Sequence, residues 1–309
     1  MVQLATRTLQ AFEDAVAADQ GNTFRMWLGR VIPHIGDAYR CDEGGFRSHM
    51  GASGIGRDCA RAIWYSFRWA AETRAQGRMV RLWNRGHLEE ARFIALLLTI
   101  GCTVIQQDEN GNQFRISDFG GHYGGAGDGM CDGIPDLPPG TRALTEFKTH
   151  NDKSFKKLKD EGLRVSKFQH YVQMQQYMSK MGLAVGVYFA VNKNDDEIYA
   201  EIVHLDIENA QRFTYRAISI IPVNEAPKRI NESAGWFDCK FCDFRPQCHL
   251  GAPPAVNCRT CVHSQAHEDG TWRCHVPTQP IGEGADVILS KQMQLAACSM
   301  WAKNPTAFK

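Results

Sequence analysis

The placement of the cysteines constrains this chain more than any other feature. The sequence has 309 residues and eleven cysteines, and three of them, Cys239, Cys242 and Cys248, follow one another at C-x2-C-x5-C spacing. A two-residue spacer lets adjacent thiolates hold one metal centre. Cys59 stands alone about 180 residues upstream, and as a fourth ligand it would close a clasp between distant parts of the chain. Four cysteines bind zinc as well as an iron–sulfur cluster, so the spacing alone leaves the metal open.

A second group of cysteines predicts a small zinc-binding unit over residues 251–309. Its members are a C-x2-C knuckle and two later residues: Cys258, Cys261, Cys274 and Cys298. Three histidines are nearer in sequence and are alternatives for the fourth ligand: His263, His267 and His275. Cys298 is favoured because thiolate-rich structural sites are common and because it would anchor a predicted helix over 289–301. The other cysteines, Cys41, Cys102 and Cys131, are expected to be small buried or incidental residues.

Apolar runs and the N-terminal sequence give no indication of a membrane protein. The runs near 95–100 and 183–191 are too short to span a bilayer. The N-terminus leads into a helix that carries Glu13 and Asp14, which is unlike a signal-peptide core. We therefore expect a soluble, cytoplasmic protein without a membrane partner, in which cysteines bind metals rather than form disulfides.

The net charge is only +1, but basic residues are concentrated in two stretches. The first is a run of arginines: Arg57, Arg61, Arg68, Arg74, Arg78, Arg81, Arg85 and Arg92. The second mixes lysine and arginine: Lys153, Lys156, Lys157, Lys159, Arg164 and Lys167. Guanidinium groups match phosphate oxygens, and such stretches are typical of nucleic-acid binding. The alternative is a solvated helical face paired with the acidic side chains of Glu72, Glu89 and Glu90.

The pattern of apolar and turn-forming residues predicts an α/β chain. Helices are expected at 5–20, 58–100 (interrupted near Gly77), 153–162, 166–181 and 206–220, with a loop region from the first helix to about residue 56. Strands are expected at 102–107, 113–119, 122–134, 142–149, 183–191 and 197–204. The turns at 108–112 and 194–196 predict hairpins. No internal repeat is present.

An E-x-K pattern, Glu146 and Lys148, lies on the predicted strand 142–149. Side chains alternate on a strand, so both point to the same face. Hydrolysis of a phosphodiester needs carboxylates that hold a divalent cation and a nearby ammonium that positions the attacking water. This pair supplies both types of group, although an E-x-K alone is more often only a solvated pair on an exposed strand.

Further candidate residues lie upstream of the E-x-K. Counting back across the turn at 138–140 from Glu146 reaches about residue 130, so Asp128 and Asp132 are both near neighbours, and parity does not choose between them. On the helix before the strands, His87 and Glu90 form one stripe with apolar residues that can dock into the core. Glu89 is expected to be a surface residue.

The order of these motifs resembles that of the PD-(D/E)XK nucleases, in particular the iron–sulfur branch with the RecB/AddB-type recombination nucleases, the CRISPR-associated nucleases and phage relatives. The resemblance implies a restriction-endonuclease-like core with a central mixed sheet flanked by helices. It selects Asp128, places Glu90 in the first motif and keeps His87, because some relatives use a histidine there. It also implies that Gln173 and Tyr177 form the Q-x3-Y motif that positions DNA and the active site.

The same resemblance implies the cofactors. Mg²⁺ or Mn²⁺ would bind Glu90, Asp128 and Glu146, and a [4Fe–4S] cluster would bind four cysteines: Cys59, Cys239, Cys242 and Cys248. Residues 1–250 would form the nuclease domain with this clasp. Residues 251–309 lie outside the resemblance, and their cysteines predict a zinc-binding tail. In the tail, five residues would raise the affinity for longer DNA: Arg259, Arg273, Lys291, Trp272 and Trp301.

The sequence thus predicts a metal-dependent DNA nuclease, directed to single strands or ends, in phage or bacterial recombination, replication or repair. It would act beside recombination or replication proteins, in the host cytoplasm if a phage encodes it. Two alternatives are a non-catalytic DNA-binding module and a zinc-finger scaffold for a partner protein. The intact pair Glu146 and Lys148 argues against both.

Overall fold

The computed structural model describes residues 2–36, 46–72, 75–276 and 286–308. Its α-helices are α1 (Thr6–Ala18), α2 (Asn22–Val31), α3 (Ala60–Phe67), α4 (Gly77–Thr99), α5 (Asp152–Glu161), α6 (Leu163–Ser166), α7 (Phe168–Met181), α8 (Ile207–Ile220), α9 (Phe237–Lys240), α10 (Arg245–His249) and α11 (Lys291–Ala296). Its strands are β1 (Met50–Gly51), β2 (Thr103–Ile105), β3 (Arg115–Asp118), β4 (Tyr123–Ala126), β5 (Met130–Asp132), β6 (Arg142–His150), β7 (Val185–Asn192), β8 (Ile198–His204), β9 (Ser264–Ala266), β10 (Trp272–Cys274) and β11 (Val287–Ile288). The chain divides into two compact units: residues 1–43, 75–116 and 126–211 form the first, and residues 44–74, 117–125 and 212–309 form the second.

The first unit is built on a five-stranded mixed sheet in the order β2-β5-β6-β7-β8. The central pair β6 and β7 is parallel, and the other pairs are antiparallel. Every residue of β7 is buried, as expected for a strand covered on both faces. The backbone of residues 3–5 adds to the outer edge of β8, where Ala5 N donates to Ala200 O at 2.9 Å and Ile202 N donates to Gln3 O at 2.8 Å.

Helices cover both faces of this sheet. On one face, Phe93 of α4 stacks on Phe147 of β6 with ring centroids 5.3 Å apart, and Phe189 of β7 completes the cluster. On the other face, α7 lies so close to β7 that a Cβ at Gly186 would come within 2.9 Å of the Met174 side chain. Because side chains alternate on β6, the residues before and after Phe147 point toward α7. This alternation directs Glu146 and Lys148 away from the phenylalanine core.

The second unit has an aromatic core that surrounds two buried arginines. Arg68 and Arg259 are 0% and 2% exposed. The Arg259 guanidinium lies 3.8 Å from the ring centroid of Trp69 and 4.7 Å from that of Trp272. Both guanidinium groups donate to backbone carbonyls, for example Arg259 to Phe67 O at 2.9 Å. Cation–π contacts and carbonyl acceptors thus replace the water that two buried charges lose.

Small strands complete the second unit. Strands β9, β10 and β11 form an antiparallel sheet, and β1 pairs with β4 in parallel. Residues 212–309 belong to one compact unit together with α3, so this division does not separate residue 250 from residue 251. That residues 251–309 form a zinc-binding unit of their own stays a prediction.

The predicted α/β class, with a central mixed sheet flanked by helices and a cysteine-rich C-terminal segment, is confirmed, and the architecture is consistent with a restriction-endonuclease-like fold. Cys102 and Cys131 are buried as expected. Cys41 and Arg74 lie outside the described residues. Within the part of the chain that the structure describes, no helix is both long and apolar enough to cross a membrane.

Several element predictions were wrong. The expected loop before residue 56 contains α2. The interruption expected near Gly77 in the helical stretch over 58–100 is present, but it is longer and covers residues 68–76. The glycine-rich strand over 122–134 is two strands, β4 and β5, which belong to different sheets. The expected hairpin around 108–112 keeps its turn, closed by Asp108 N donating to Asn112 O at 2.8 Å. Its two strands nevertheless also belong to different sheets.

Candidate active site

Glu146 is the most buried member of the candidate active site. Its side chain is 0% exposed on β6. One carboxylate oxygen, Oε1, accepts hydrogen bonds from the Lys148 ammonium and from Gln173 Nε2, the latter at 2.8 Å. The other oxygen, Oε2, is buried and has no hydrogen-bond partner among the described residues. An unpartnered buried carboxylate oxygen is unfavourable, and a cation would satisfy it.

The strand register brings Asp128 next to this carboxylate. Met130 pairs with Leu144 in the antiparallel β5–β6 ladder, which places residue 128 opposite residue 146. Asp128 Oδ2 accepts a hydrogen bond from Phe147 N at 3.1 Å. The chain reaches this position through Gly129, whose φ of 143° is open only to glycine. A Cβ there would also come within 3.0 Å of Ile105 O.

The other two aspartates of this region have different surroundings. Asp132, the alternative to Asp128, pairs with Arg142 through two hydrogen bonds of 2.9 and 2.7 Å and lies opposite Arg142 in the ladder. Asp136 accepts from Arg7 N at 3.1 Å and from Thr8 N at 2.7 Å, so it caps the start of α1. The structure brings Asp128, and neither of the other two, to Glu146.

Helix α4 contributes the third carboxylate. Glu90 and His87 line a cleft of about 640 Å³ together with Asp128 and Lys148. Glu90 and Asp128 also line a second cleft of about 600 Å³, so the acidic pair is shared by two adjoining depressions of the first unit. Glu89, expected on the surface, is 9% exposed and also lines the first cleft. It points toward Arg92, 3.3 Å away.

The electrostatics of the cluster favour a cation. Burial, and then the negative charge of Asp128, raise the pKa of Glu146 to about 7, against the lowering effect of Lys148. Burial opposes the charge of the Lys148 ammonium, but the carboxylates of Glu146, Asp128 and Glu90 outweigh that effect and raise its pKa. Three carboxylates therefore act on one ammonium that is 26% exposed. Carboxylate oxygens around a partly open site are the ligands that Mg²⁺ and Mn²⁺ prefer.

Helix α7 supports the carboxylate from behind. Gln173 and Tyr177 are 7% and 2% exposed, and Gln173 is in direct contact with Glu146. The structure thus brings Gln173 to the candidate site as a support for Glu146. Tyr177 lies one turn further along the same helix and is enclosed by the protein.

The sequence did not single out a hydrogen-bonded group of two histidines and a tyrosine next to Lys148. The Tyr188 hydroxyl lies 2.9 Å from His150 Nε2 and 2.9 Å from His170 Nδ1, and Ser154 Oγ lies 3.2 Å from His150 Nδ1. Spacing could have indicated both histidines. His150 continues the alternation that starts at Glu146 and Lys148, and His170 precedes Gln173 by three residues on α7.

Both histidines are neutral near pH 7. Burial, and then the positive charges of neighbouring lysines, lower the pKa of His150 to about 4. Burial, and then the Lys148 charge, lower the pKa of His170 well below its ordinary value. Both rings line the 640 Å³ cleft beside Lys167 and Lys193. The cleft therefore has carboxylates at one end and uncharged imidazoles with ammonium groups at the other.

Only part of the predicted basic surface can reach a nucleic acid. On α4, four exposed arginines lie on the helix that carries Glu90: Arg78, Arg81, Arg85 and Arg92. On α5, four lysines are exposed: Lys153, Lys156, Lys157 and Lys159. Arg68 is fully buried, and in the C-terminal segment Arg259 and Trp272 are each 2% exposed, so the prediction that these three contact a phosphate or a base was wrong. Their partners are aromatic rings and backbone carbonyls of the second unit.

The first group of cysteines converges in the second unit. Cys59, at the start of α3, lines one cavity with the three cysteines around α9 and α10: Cys239, Cys242 and Cys248. Burial, and then the charges of Cys59 and Cys248, raise the pKa of Cys239, as expected for thiolates that need a cationic centre to ionise together. Three arginines line the same cavity: Arg61, Arg229 and Arg245. Four sulfurs with surrounding guanidinium groups fit an anionic metal–thiolate centre.

The second group of cysteines also converges. Burial, and then the charges of its three companions, raise the pKa of Cys258 to about 11, and these companions are Cys261, Cys274 and Cys298. Cys258 and Cys261 flank a short 3-10 turn, and Cys274 ends β10. Cys298 follows α11, which ends at Ala296 rather than at residue 301 as expected. Thiolates are the usual donors of a structural zinc site, so the type of ligand, rather than a measured spacing of the sulfurs, is what suits zinc here.

Comparisons with known proteins give only distant matches. No protein-family model matches the chain, and no curated protein matches it. The crystal structure of SSO0001 is 16% identical with a TM-score of 0.39, over 74% of this chain and 96% of that chain. An alkaline exonuclease from Laribacter hongkongensis, LHK-Exo, is 15% identical with a TM-score of 0.37, over 56% of this chain and 86% of that chain. The structure of LHK-Exo in complex with dAMP is 13% identical with a TM-score of 0.38, over the same shares of the two chains. At this level the likeness says nothing about what this chain acts on.

Proposed function

We propose that the chain is a metal-dependent nuclease that hydrolyses phosphodiester bonds in DNA, at single strands or ends. The observation that carries the proposal is the buried Glu146 carboxylate, which has one oxygen without a partner. It is buried beside Asp128 and Lys148, which line a cleft together with Glu90. This donor set suits Mg²⁺ or Mn²⁺. The finer assignment to the iron–sulfur branch of the PD-(D/E)XK nucleases rests on the resemblance of the motifs.

Each residue of the cluster has a distinct task in this proposal. Glu90, Asp128 and Glu146 would hold the divalent cation, which supplies Lewis-acid polarisation of the phosphate and activation of water when it is bound. Lys148, held by Glu146, presents an ammonium that can orient the attacking water and offset the negative charge that develops on phosphate oxygens. Gln173 donates to Oε1 of Glu146 and would thereby hold its rotamer, leaving Oε2 available to a cation.

The cleft around these residues matches a polyanionic substrate. Lys167 and Lys193 line it, and the arginines of α4 and the lysines of α5 are exposed on neighbouring helices of the same unit. Ammonium and guanidinium groups neutralise backbone phosphates without reading the bases. Binding is therefore expected to depend on salt and only weakly on sequence.

The cysteines complete the proposal. A [4Fe–4S] cluster would be held by Cys59, Cys239, Cys242 and Cys248, and Zn²⁺ by Cys258, Cys261, Cys274 and Cys298. Both centres would be structural, because neither group contributes a residue to the carboxylate cleft. The role implied by the resemblance is recombination, replication or repair of phage or bacterial DNA, in the cytoplasm and beside other proteins of these processes.

Cleavage assays with single substitutions test the proposal. Glu146→Gln and Lys148→Ala should each abolish cleavage of end-labelled linear single-stranded DNA in Mg²⁺ or Mn²⁺, and EDTA should abolish cleavage by the unaltered protein. DNA binding should persist, because the phosphate contacts come from other residues. A circular single strand shows whether an end is required.

A buried glutamate outside the cleft provides the control. Glu201 on β8 is 7% exposed and accepts from Leu163 N at 2.8 Å, and a glutamine oxygen can accept the same bond. Glu201→Gln should therefore keep cleavage. Full activity in metal-replete Glu146→Gln protein would remove the proposed site.

A further inference from the structure

Two histidines and an aspartate of the second unit converge outside both groups of cysteines. His267, His275 and Asp286 each offer one ligand atom, and these atoms lie within 4.8 Å of one another. His267 lies in the turn between β9 and β10, and His275 directly follows β10. Asp286 directly precedes β11. The antiparallel pairing of Cys274 with Val287 brings the last two side by side.

A hydrogen bond accounts for only two members of this cluster. His275 Nδ1 lies 2.6 Å from Asp286 Oδ1, with side chains that are 42% and 33% exposed. A half-exposed pair of this kind stabilises little by itself. The third member, His267, has a buried Nε2 with no hydrogen-bond partner among the described residues. A buried imidazole nitrogen without a partner is unfavourable, and a metal ion that His267 binds through this nitrogen would remove the deficit.

The chemistry of the donors identifies the class of ligand. Two imidazole nitrogens and one carboxylate oxygen suit borderline transition-metal ions such as Zn²⁺, and are a poor set for Mg²⁺ or Ca²⁺. Nitrogen and oxygen ligands at about 2.0–2.2 Å from Zn²⁺ lie roughly 3.4 Å apart in a tetrahedron. Shifts of the ligand atoms by about one ångström, which widen the contact between His275 and Asp286 and bring His267 closer, would produce this spacing. Three protein ligands leave one coordination position for water.

The site is distinct from the neighbouring cysteines. Cys274 belongs to the group with Cys258, whereas His275 is the next residue along the chain. Successive side chains at a strand point to opposite sides, so Cys274 and His275 face different surroundings. We propose that His267, His275 and Asp286 form a second transition-metal site in the C-terminal segment, separate from the cysteine site, that binds Zn²⁺ and joins β11 to the β9–β10 hairpin.

Titration of the full chain with Zn²⁺, followed by metal analysis, tests this site. His267→Asn, His275→Asn and Asp286→Asn should each weaken one class of Zn²⁺ binding by at least about tenfold and leave the cysteine-held metal in place. Cys298→Ser should weaken the Zn²⁺ binding of the cysteine site and leave that of the histidine site unchanged. His204→Asn is the matched control, since this exposed histidine of β8 lies in the first unit, and its Zn²⁺ binding should equal that of the unaltered chain.

Cobalt substitution separates the two sites by spectrum. Co²⁺ at the cysteines should give thiolate-to-metal charge-transfer absorption, and Co²⁺ at the histidine site should give only weak ligand-field bands. The histidine variants should lose only the weak ligand-field bands, and their far-UV circular dichroism should be unchanged. Equal Zn²⁺ stoichiometry and affinity in all three variants would overturn the proposal. So would a loss of the charge-transfer band in folded histidine variants, because the histidines would then belong to the cysteine site.

Discussion

The buried position of Glu146 in the candidate site determines how easily its carboxyl group takes a charge. Burial, together with the nearby Asp128, holds its pKa at about 7 instead of the ordinary 4.5. A carboxyl group with a raised pKa stabilises the metal-free fold at low pH, and this contribution is lost as the pH rises through about 7. The charged form is costly without a partner, and a divalent cation bound beside Asp128 would supply that partner.

The first prediction concerns the pH dependence of metal binding. Because the cation must displace the proton of Glu146, Mn²⁺ affinity should rise by up to about tenfold per pH unit below 7 and level off above it. Calorimetric titration with Mn²⁺ between pH 5.5 and 8.5 measures this. Asp132→Asn, which alters an aspartate paired with Arg142, should show the same profile. A flat profile in the unaltered protein would mean that Glu146 is not a ligand.

The second prediction concerns Tyr188. Its hydroxyl is shared by His150 and His170, so Tyr188→Phe leaves two buried ring nitrogens without this partner. The free energy of unfolding should fall by about 1–3 kcal/mol, as measured by chemical denaturation. Tyr215→Phe is the control because Tyr215 is 75% exposed, and its effect should be close to zero. Equal stability of the two variants would mean that the histidines do not depend on the hydroxyl.

At the scale of residues, the sequence predicted which side chains share a face of a strand better than which residues face each other across two strands. Alternation along β6 was enough to place Glu146 and Lys148 on one face. The choice between Asp128 and Asp132 needed the strand register, which depends on the length of the irregular connection between β5 and β6. The count across the turn was wrong by two residues, because the ladder places residue 128 and not residue 130 opposite Glu146.

At the scale of elements, helix α1 depends on a distant side chain. Its N-cap residue, Ala5, provides no side-chain cap, and Asp136 accepts from Arg7 N, Thr8 N and Thr8 Oγ1 instead. The third prediction is that Asp136→Ala lowers the free energy of unfolding by about 1–2 kcal/mol, as the loss of a cap does. Mn²⁺ affinity and cleavage should remain unchanged.

The Mn²⁺ affinity of Asp128→Asn is the comparison for that of Asp136→Ala. Asp128→Asn should lower Mn²⁺ affinity, because it removes a carboxylate from the cluster that includes Glu146. If Asp136→Ala reduced metal affinity as strongly as Asp128→Asn at equal stability, Asp136 would belong to the metal site and would not act only as the cap of α1. Unfolding curves measured beside the metal titrations separate these outcomes.

The boundaries predicted from the sequence were wrong where contacts with distant residues determine the end of a helix or strand. The helix expected over 58–100 ends after Phe67, where the next residue, Arg68, is buried among aromatic rings of the second unit. A second helix then begins at Gly77 in the first unit. The glycine-rich stretch breaks at Gly127–Gly129 for the same reason, since β4 and β5 belong to different sheets. The helix and strand propensities of a short segment give no information about these distant contacts.

At the scale of the whole molecule, the two kinds of site are assigned to different units. The carboxylate cluster lies entirely in the first unit, and both groups of cysteines lie in the second. The second unit is assembled from three separate stretches of chain, and Cys59 would be joined to Cys239 across about 180 residues. A cross-link that closes so long a loop stabilises by roughly 5 kcal/mol in the chain-entropy account. The proposed iron–sulfur centre would therefore contribute to the stability of the fold and not to the chemistry.

The fourth prediction is that the C-terminal segment holds the second unit together. Phe308 stacks on Tyr65 of α3 with centroids 5.4 Å apart, and Trp272 lies 5.3 Å from Phe67. The loss of one buried aromatic side chain costs about 3–5 kcal/mol, and a domain has only about 5–15 kcal/mol of stability. Termination after Gly251 should therefore unfold the region around α3, which begins directly after Cys59, and release iron together with zinc.

The matched variant for this truncation is Cys298→Ser, which keeps the aromatic core but removes one proposed zinc ligand. It should lose zinc and keep both its iron and its brown colour, while the truncated chain should lose both metals and the colour. Iron and zinc analysis of protein purified without oxygen measures the difference. A truncated chain that stays brown would show that α3 and the first group of cysteines fold without the C-terminal segment. Loss of iron in Cys298→Ser would mean that the two groups of cysteines share a ligand.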